Sequence, residues 1–233
     1  MILTAHQPNY LPYLGFIEKI AKADIFLIVD NVQFVKRGPF GWIHRNKIRN
    51  PQGWQWLSLD CLTKGKYQQN INEVQFKPGS PHLRKHWRAI EVNYQKAPYF
   101  EQYSHFFKAI YLEQEWKSLA DLSSTLIKSL MDAFDINVPL NRTSTLNITG
   151  KASELIVNMC LEVGASSYLS GIHGKDYLNL PLFEEKGIEL IFQDYTHPIY
   201  TQCWQGDFQP YMSALDLLFN HGPESKKILM TSP

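Results

Sequence analysis

Four polar stretches hold the residue types that could do chemistry. The first is His6-Gln7-Pro8-Asn9-Tyr10, which packs an imidazole, two amides and a phenol into five residues before a helical pattern. An imidazole near neutrality serves as a general base, and free backbone amides at a helix start hold anions. The same residues could equally cap that helix and do nothing else. The second stretch opens on Asp30 and holds Gln33, Lys36, Arg37, Arg45, Asn46 and Lys47. A carboxylate closing a buried strand is a common catalytic or ribose-binding group, and Arg45 offers a planar fork to phosphate or carboxylate. A solvated basic loop is the alternative, although the interleaved Phe34, Phe40 and Trp42 favour order. The third stretch is Ser170-Gly171-Ile172-His173-Gly174-Lys175-Asp176-Tyr177. Its two glycines, three apart, could cradle an anion with backbone amides. It lacks the Gly-x-Gly-x-x-Gly and Walker patterns, and Gly-x-Ser-x-Gly is absent, so a serine hydrolase is not expected. The fourth stretch runs from Asp194 through Tyr195, His197 and Tyr200 to Gln202.

These stretches define an expected site. His6, Asp30 and His197 are its candidate catalytic groups. Gln7, Asn9, Tyr10, Gln33, Arg45, Asn46, Ser170, Gly171, Gly174, Tyr177, Tyr200 and Gln202 are its candidate binding groups. A zinc site would need a third ligand beside the two histidines, such as Asp30 or Cys203, and no metal is expected. Cys160 lies on an apolar helical face beside Ile156 and Met159 and reads as a structural thiol. Cys203 is a slightly better nucleophile, with nothing visible to lower its pKa.

Such loops need a scaffold. Residues 2–5 read as a strand, and Pro12 as the first turn of a helix that buries Leu14, Ile17, Ile20 and Ala21. Residues 25–29 form a continuous β-prone run, as in a buried parallel strand. Residues 31–53 read as loop, and 54–59 and 71–76 as strands. Three helices are expected at 82–96, 99–111 and 119–134, as an insertion over 82–134. Strands at 138–146, 167–170 and 188–192 follow, with helices after Gly150 and at 181–186. Alternation of helix and short apolar strand predicts an α/β fold with a Rossmann-like, mostly parallel sheet, in a single domain over 1–233. Ligands would then sit beyond the carboxyl ends of its strands.

Composition narrows the classes. The chain has 233 residues, 44% hydrophobic and 19% charged, with a net charge of +1. That suffices for a core and supplies no field for DNA or anionic membrane. No apolar run is long enough for a membrane span, and the N-terminus lacks a signal-peptide pattern. Three widely spaced cysteines fit reduced thiols of a cytoplasmic protein.

The motifs also occur in a recognisable order. They are Ala5-His6-Gln7-Pro8-Asn9-Tyr10-Leu11-Pro12-Tyr13-Leu14-Gly15, Asp30-x-x-Gln33, Arg45-Asn46-Lys47-Ile48, Pro51-x-Gly-Trp54, Tyr168-Leu169-Ser170-Gly171-x-x-Gly174-x-x-Tyr177-Leu178, His197-Pro198-x-Tyr200-x-Gln202 and Leu215-Asp216-Leu217-Leu218-Phe219-Asn220-x-Gly222. This ordered set resembles the WbqC-like proteins over nearly the whole chain. The resemblance implies a bacterial protein of O-antigen or other surface-polysaccharide biosynthesis. It implies aminoacyl transfer, of glycine in particular, onto the amine of a nucleotide-linked amino sugar. It names no cofactor; ATP or an activated aminoacyl donor would suit the chemistry. Two alternatives stand beside it. One is an HxGH-like nucleotidyltransferase or adenylating enzyme, although the next histidine after His6 is His44. The other is a non-catalytic binding protein of a polysaccharide assembly complex.

Overall fold

A computed structural model describes residues 1–36 and 43–231. Phe40 and Trp42, expected to help order the second loop, lie outside the described residues, as does Arg37. The chain runs β1 (Ile2–His6), α1 (Leu14–Ala21) and β2 (Ile25–Ile28), then a hairpin of β3 (Arg45–Asn50) and β4 (Gly53–Ser58). Three helices follow, α2 (His82–Tyr94), α3 (Phe100–Leu112) and α4 (Leu119–Ala133). The chain then returns through β5 (Leu140–Arg142), α5 (Ala152–Val163), β6 (Ser167–Ser170), α6 (Leu180–Glu185) and β7 (Glu189–Phe192) to α7 (Leu215–His221) and α8 (Ser225–Leu229).

The main sheet has the order β5-β2-β1-β6-β7, and every pairing in it is parallel. It is the expected Rossmann-like sheet. The chain builds outward from β1 to β2 and β5, then crosses back to β6 and β7 on the other side of β1. The strand order therefore reverses between β1 and β6. Successive side chains of a strand point to opposite faces, and the two cores show it. Leu3, Ala5 and Leu27 pack with Leu155, Met159 and Phe183 of α5 and α6. Phe26 and Ile28 pack with Phe16 and Ile17 of α1 and with the helices that follow the hairpin.

Local chemistry explains the ends of the elements. Ser118 caps α4 by accepting from the Asp121 amide at 3.1 Å, and Gly164 ends α5 in the left-handed region at φ 69°. The helical insertion over 82–134 holds α2, α3 and α4.

Four expectations need correction. Residues 45–50 form a strand paired to β4: Asn46 and Ile48 are buried between the part-exposed Arg45 and Lys47, and Arg49 is buried as well, a pattern its charges concealed. Residues 71–76 do not form a strand. Ile71–Glu73 is a 3-10 turn, closed by reciprocal bonds between Asn70 and Glu73, and the stretch keeps isolated bridges to Cys61 and Ser118. The strand expected at 138–146 is confined to Leu140–Arg142. Pro12 lies ahead of α1, which starts at Leu14. The Pro12 carbonyl instead accepts from Ala214 at 2.8 Å, and Tyr13 bridges Ser213.

Candidate functional site

In open parallel sheets the place expected for a ligand is where strand order reverses, here at the carboxyl ends of β1 and β6. Carbonyls alternate sides along a strand. That of His6 accepts from Val29 at 2.9 Å on the β2 side, so that of Ala5 faces β6. The Lys19 ammonium donates to the Ala5 carbonyl at 3.1 Å. Lys19 is only 5% exposed, and burial lowers its pKa to about 8. The half-buried His6 ring lies edge-to-face on Phe16, 4.8 Å away. Its Nδ1 sits 3.0 Å from the Gln7 carbonyl. A carbonyl only accepts, so Nδ1 carries the proton and Nε2 the lone pair. Burial, and then the Lys19 charge, push the imidazole down to about 3. At neutral pH the end of β1 therefore presents an unprotonated imidazole nitrogen near a buried ammonium.

Charge continues beneath α1. Glu18 is fully buried, paired with Lys22, and accepts from the Gln193 amide. That amide also donates to the Gly15 carbonyl at 2.8 Å. Helical periodicity marked Leu14, Ile17, Ile20 and Ala21 as the inner face and missed Glu18 and Lys19. One signal was available. Residues 14–21 are apolar nearly all round, and such a helix is buried on every side, so its two charges must be buried as well.

The end of β2 is built differently. Asp30 is fully buried. It accepts from Arg142 Nε at 2.6 Å, Ser144 Oγ at 2.7 Å, the Ser144 amide at 3.0 Å and Thr143 Oγ1 at 3.3 Å. Arg142 Nη1 also donates to Asp121 of α4 at 2.6 Å. Asp30 thus ties the sheet edge to the inserted helices, with its acceptor capacity filled.

His197 is likewise engaged at both nitrogens. The Tyr211 amide donates to Nε2 at 3.3 Å, which leaves the proton on Nδ1, 2.8 Å from the Tyr195 hydroxyl. Burial lowers its pKa to about 4. The Tyr195 ring presses on the start of α1, where a Cβ on Gly15 would come within 2.9 Å of it. His6 and the Tyr195–His197 pair therefore meet opposite ends of the Gly15–Phe16 step. Tyr200 and Gln202 face inward. Together with Tyr94 they donate to the fully buried Asp216, at 2.8, 2.7 and 2.9 Å. Burial raises the Asp216 pKa.

The other candidates are spread over several places. Tyr10 is in the core, its hydroxyl 2.7 Å from His86 Nδ1 and 2.6 Å from the Tyr111 hydroxyl. Gln7 and Asn9 form a half-buried turn after His6, closed by the Asn9 amide on the Gln7 carbonyl at 2.8 Å. After β6, Gly174 is buried against Ser170, whose Oγ would lie 2.0 Å from an added Cβ. Its small size serves that contact. Gly171 borders open space, and Tyr177 is 63% exposed. Gln33 donates to the Tyr67 carbonyl at 2.8 Å. On the hairpin, Asn46 is buried and donates to the Leu11 carbonyl, while Arg45 lies over the Trp56 ring at 4.6 Å.

The thiols do not offer a nucleophile. Burial pushes Cys61 and Cys160 up to about 12 and Cys203 to about 11. Among the described residues no three His, Cys, Asp or Glu side chains converge as a metal set. None of the helices among the described residues is long and apolar enough to cross a membrane.

Comparison with known proteins agrees over nearly the same span. The model of the WbqC-like protein family matches residues 7–228. An uncharacterized protein of Mycobacterium tuberculosis is 34% identical over 224 residues, which cover 96% of this chain and 95% of that protein. No solved structure matches the chain.

Proposed function

We propose, for a chain that belongs to the WbqC-like protein family, that the crevice beyond β1 and β6 is the active site of an aminoacyl transferase. Its acceptor is the amine of a nucleotide-linked amino sugar, and glycine is the acyl group. The setting is cytoplasmic surface-polysaccharide biosynthesis. The carrying observation is the lone pair on His6 Nε2 at the strand-order reversal. His6 accepts a hydrogen bond from the sugar amine as it attacks the carbonyl of an activated glycyl ester. The new amide bond forms as the acyl–oxygen bond breaks, and the amine proton passes by way of Nε2 to the leaving oxygen. A group held near 3 relays that proton and does not store it. Lys19, at about 8, keeps the site poised against a second positive charge.

The remaining candidates act as supports in this reading. Gln7, Asn9, Gly171 and Tyr177 border the substrate. Asp30, His197, Tyr200 and Gln202 hold the walls. Mass spectrometry of UDP- or dTDP-linked amino sugars incubated with the protein tests the reading, with glycine plus ATP or glycyl-tRNA as donor. A product heavier by one glycyl group, lost in His6→Ala, is expected. Absence of product with every donor, together with no rise in melting temperature on adding the amino-sugar nucleotides, would overturn it.

A further inference from the structure

The β3–β4 hairpin presents a surface that the crevice chemistry leaves unused. Alternation puts Arg45, Lys47 and Arg49 on one face of β3, and the register sets Ser58, Trp56 and Trp54 opposite them. The other face carries Asn46, Ile48 and Leu57, all buried. On the outer face cations and rings interleave. Arg45 lies 4.6 Å from the Trp56 ring centre, and Lys47 lies 4.7 Å from Trp54 and 5.7 Å from Trp56. The two indoles meet edge-to-face at 5.8 Å. Arg49 is turned inward, held by the carbonyls of Gly53 at 2.7 Å and Gln205 at 3.2 Å. Trp54 beside it stays 43% exposed.

A partly exposed indole with an ammonium over its ring suits a planar ring that carries an anion. A nucleobase would stack on the indole, and its phosphates would meet the cations. A neutral saccharide would use the ring and leave the cations idle. A long nucleic acid would draw on a broad positive field, and the chain's net charge of +1 supplies none. The ligand that matches is a single nucleoside diphosphate.

The hairpin is also fastened to the loop that carries His6. The Tyr10 amide donates to the Ile43 carbonyl at 2.9 Å, and Asn46 donates to the Leu11 carbonyl. The Ser213 amide donates to the Lys47 carbonyl at 2.9 Å, and Ser213 bridges Tyr13. We propose that the Lys47–Trp54 face of the hairpin binds the nucleoside diphosphate half of the substrate, with the base stacked on Trp54 and the diphosphate against Lys47. Arg45 adds positive potential from across Trp56. The continuation of that substrate, a sugar reaching toward His6, rests on the transferase reading; the nucleotide site does not.

The test is binding of UDP, dTDP, uridine and inorganic pyrophosphate, read by equilibrium dialysis and quenching of indole fluorescence. The protein is compared with Trp54→Ala, Trp54→Phe, Lys47→Gln and His6→Ala. UDP or dTDP should bind and quench. Trp54→Ala should weaken binding by about tenfold or more, with partial rescue in Trp54→Phe. Lys47→Gln should erase most of the preference for UDP over uridine, and His6→Ala should leave UDP affinity unchanged. Unaltered melting temperatures show that the variants are folded. The proposal is overturned if neither nucleotide binds, if Trp54→Ala and Lys47→Gln bind as the parent does, or if a short RNA strand binds more tightly than UDP. Nucleotide binding on the hairpin without glycyl transfer would remove the transferase reading alone. Glycyl transfer insensitive to Trp54 and Lys47 would remove this proposal alone.

Discussion

The neighbouring strands β1 and β2 end a few ångströms apart and finish in opposite ways. At β2, Asp30 is enclosed by four donated hydrogen bonds from three consecutive residues, Arg142, Thr143 and Ser144. At β1, His6 spends one ring nitrogen on Gln7 and keeps a lone pair on the other, beside a buried amine whose bond goes to a strand carbonyl. A carboxylate with filled acceptors fixes geometry. An imidazole and an amine with capacity to spare can meet a substrate. Both strand ends are polar in sequence, so residue type does not separate them; the number of satisfied partners does.

Substitutions can break that comparison. Asp30→Ala should be the most damaging to the fold. It removes one of the two carboxylate partners of Arg142, which is only 25% exposed at its side chain, and leaves the Ser144 amide and hydroxyl without their acceptor. A loss of about 3 kcal/mol is expected in urea unfolding, and a loss below about 1 kcal/mol would show that Asp30 is not the tie between sheet and insertion. His6→Ala should do the reverse. Stability should change by about 1 kcal/mol or less, while the proposed glycyl transfer falls by roughly a hundredfold or more. Gly174→Ala is intermediate, because its new methyl must displace Ser170. A cost of about 2 kcal/mol is expected in thermal unfolding.

The most gradual effect is a slope with pH. Burial lowers His6 to about 3, and His44, His86 and His197 to about 4, from an ordinary 6.5. Between those values the unfolded chain binds protons that the folded chain refuses. Stability from these groups is complete above about 6.5 and is lost as pH falls toward 4. Asp216, with its pKa raised, acts in the opposite sense, losing its contribution as pH rises above the ordinary carboxylate value. Melting temperatures taken from pH 7 to 4 should fall, and less steeply in His197→Phe than in the parent. A flat profile would mean that these rings are open to water.

Much of the scaffold was legible in sequence, because the apolar run of residues 25–29 and the periodic helices of residues 82–134 advertise what they bury. The hairpin strand β3 was not. Its Arg45, Lys47 and Arg49 read as part of a basic loop, since cation–aromatic stacking across strands leaves no trace in a single strand's hydrophobic pattern. The candidate site was legible in part. His6 stood out as an imidazole at a strand end, while Lys19 was hidden in a helix whose pattern marks only apolar contacts. Tyr200 and Gln202 are polar residues in a loop that turn inward to Asp216, and their destination depends on a residue in α7.

The position of the hairpin and inserted helices between β2 and β5 has a kinetic consequence. Those two strands are neighbours, yet the residues that pair, Phe26 with Leu140, are more than a hundred positions apart. The edge of the sheet can close only after the intervening chain has been gathered, and long closures of this kind slow folding. The inserted helices, rich in local contacts, can form before that closure. Asp30 and Arg142, one at each mouth of the loop, then act as its latch, so refolding of Asp30→Ala should stall with helical signal recovered and the β2–β5 edge still open.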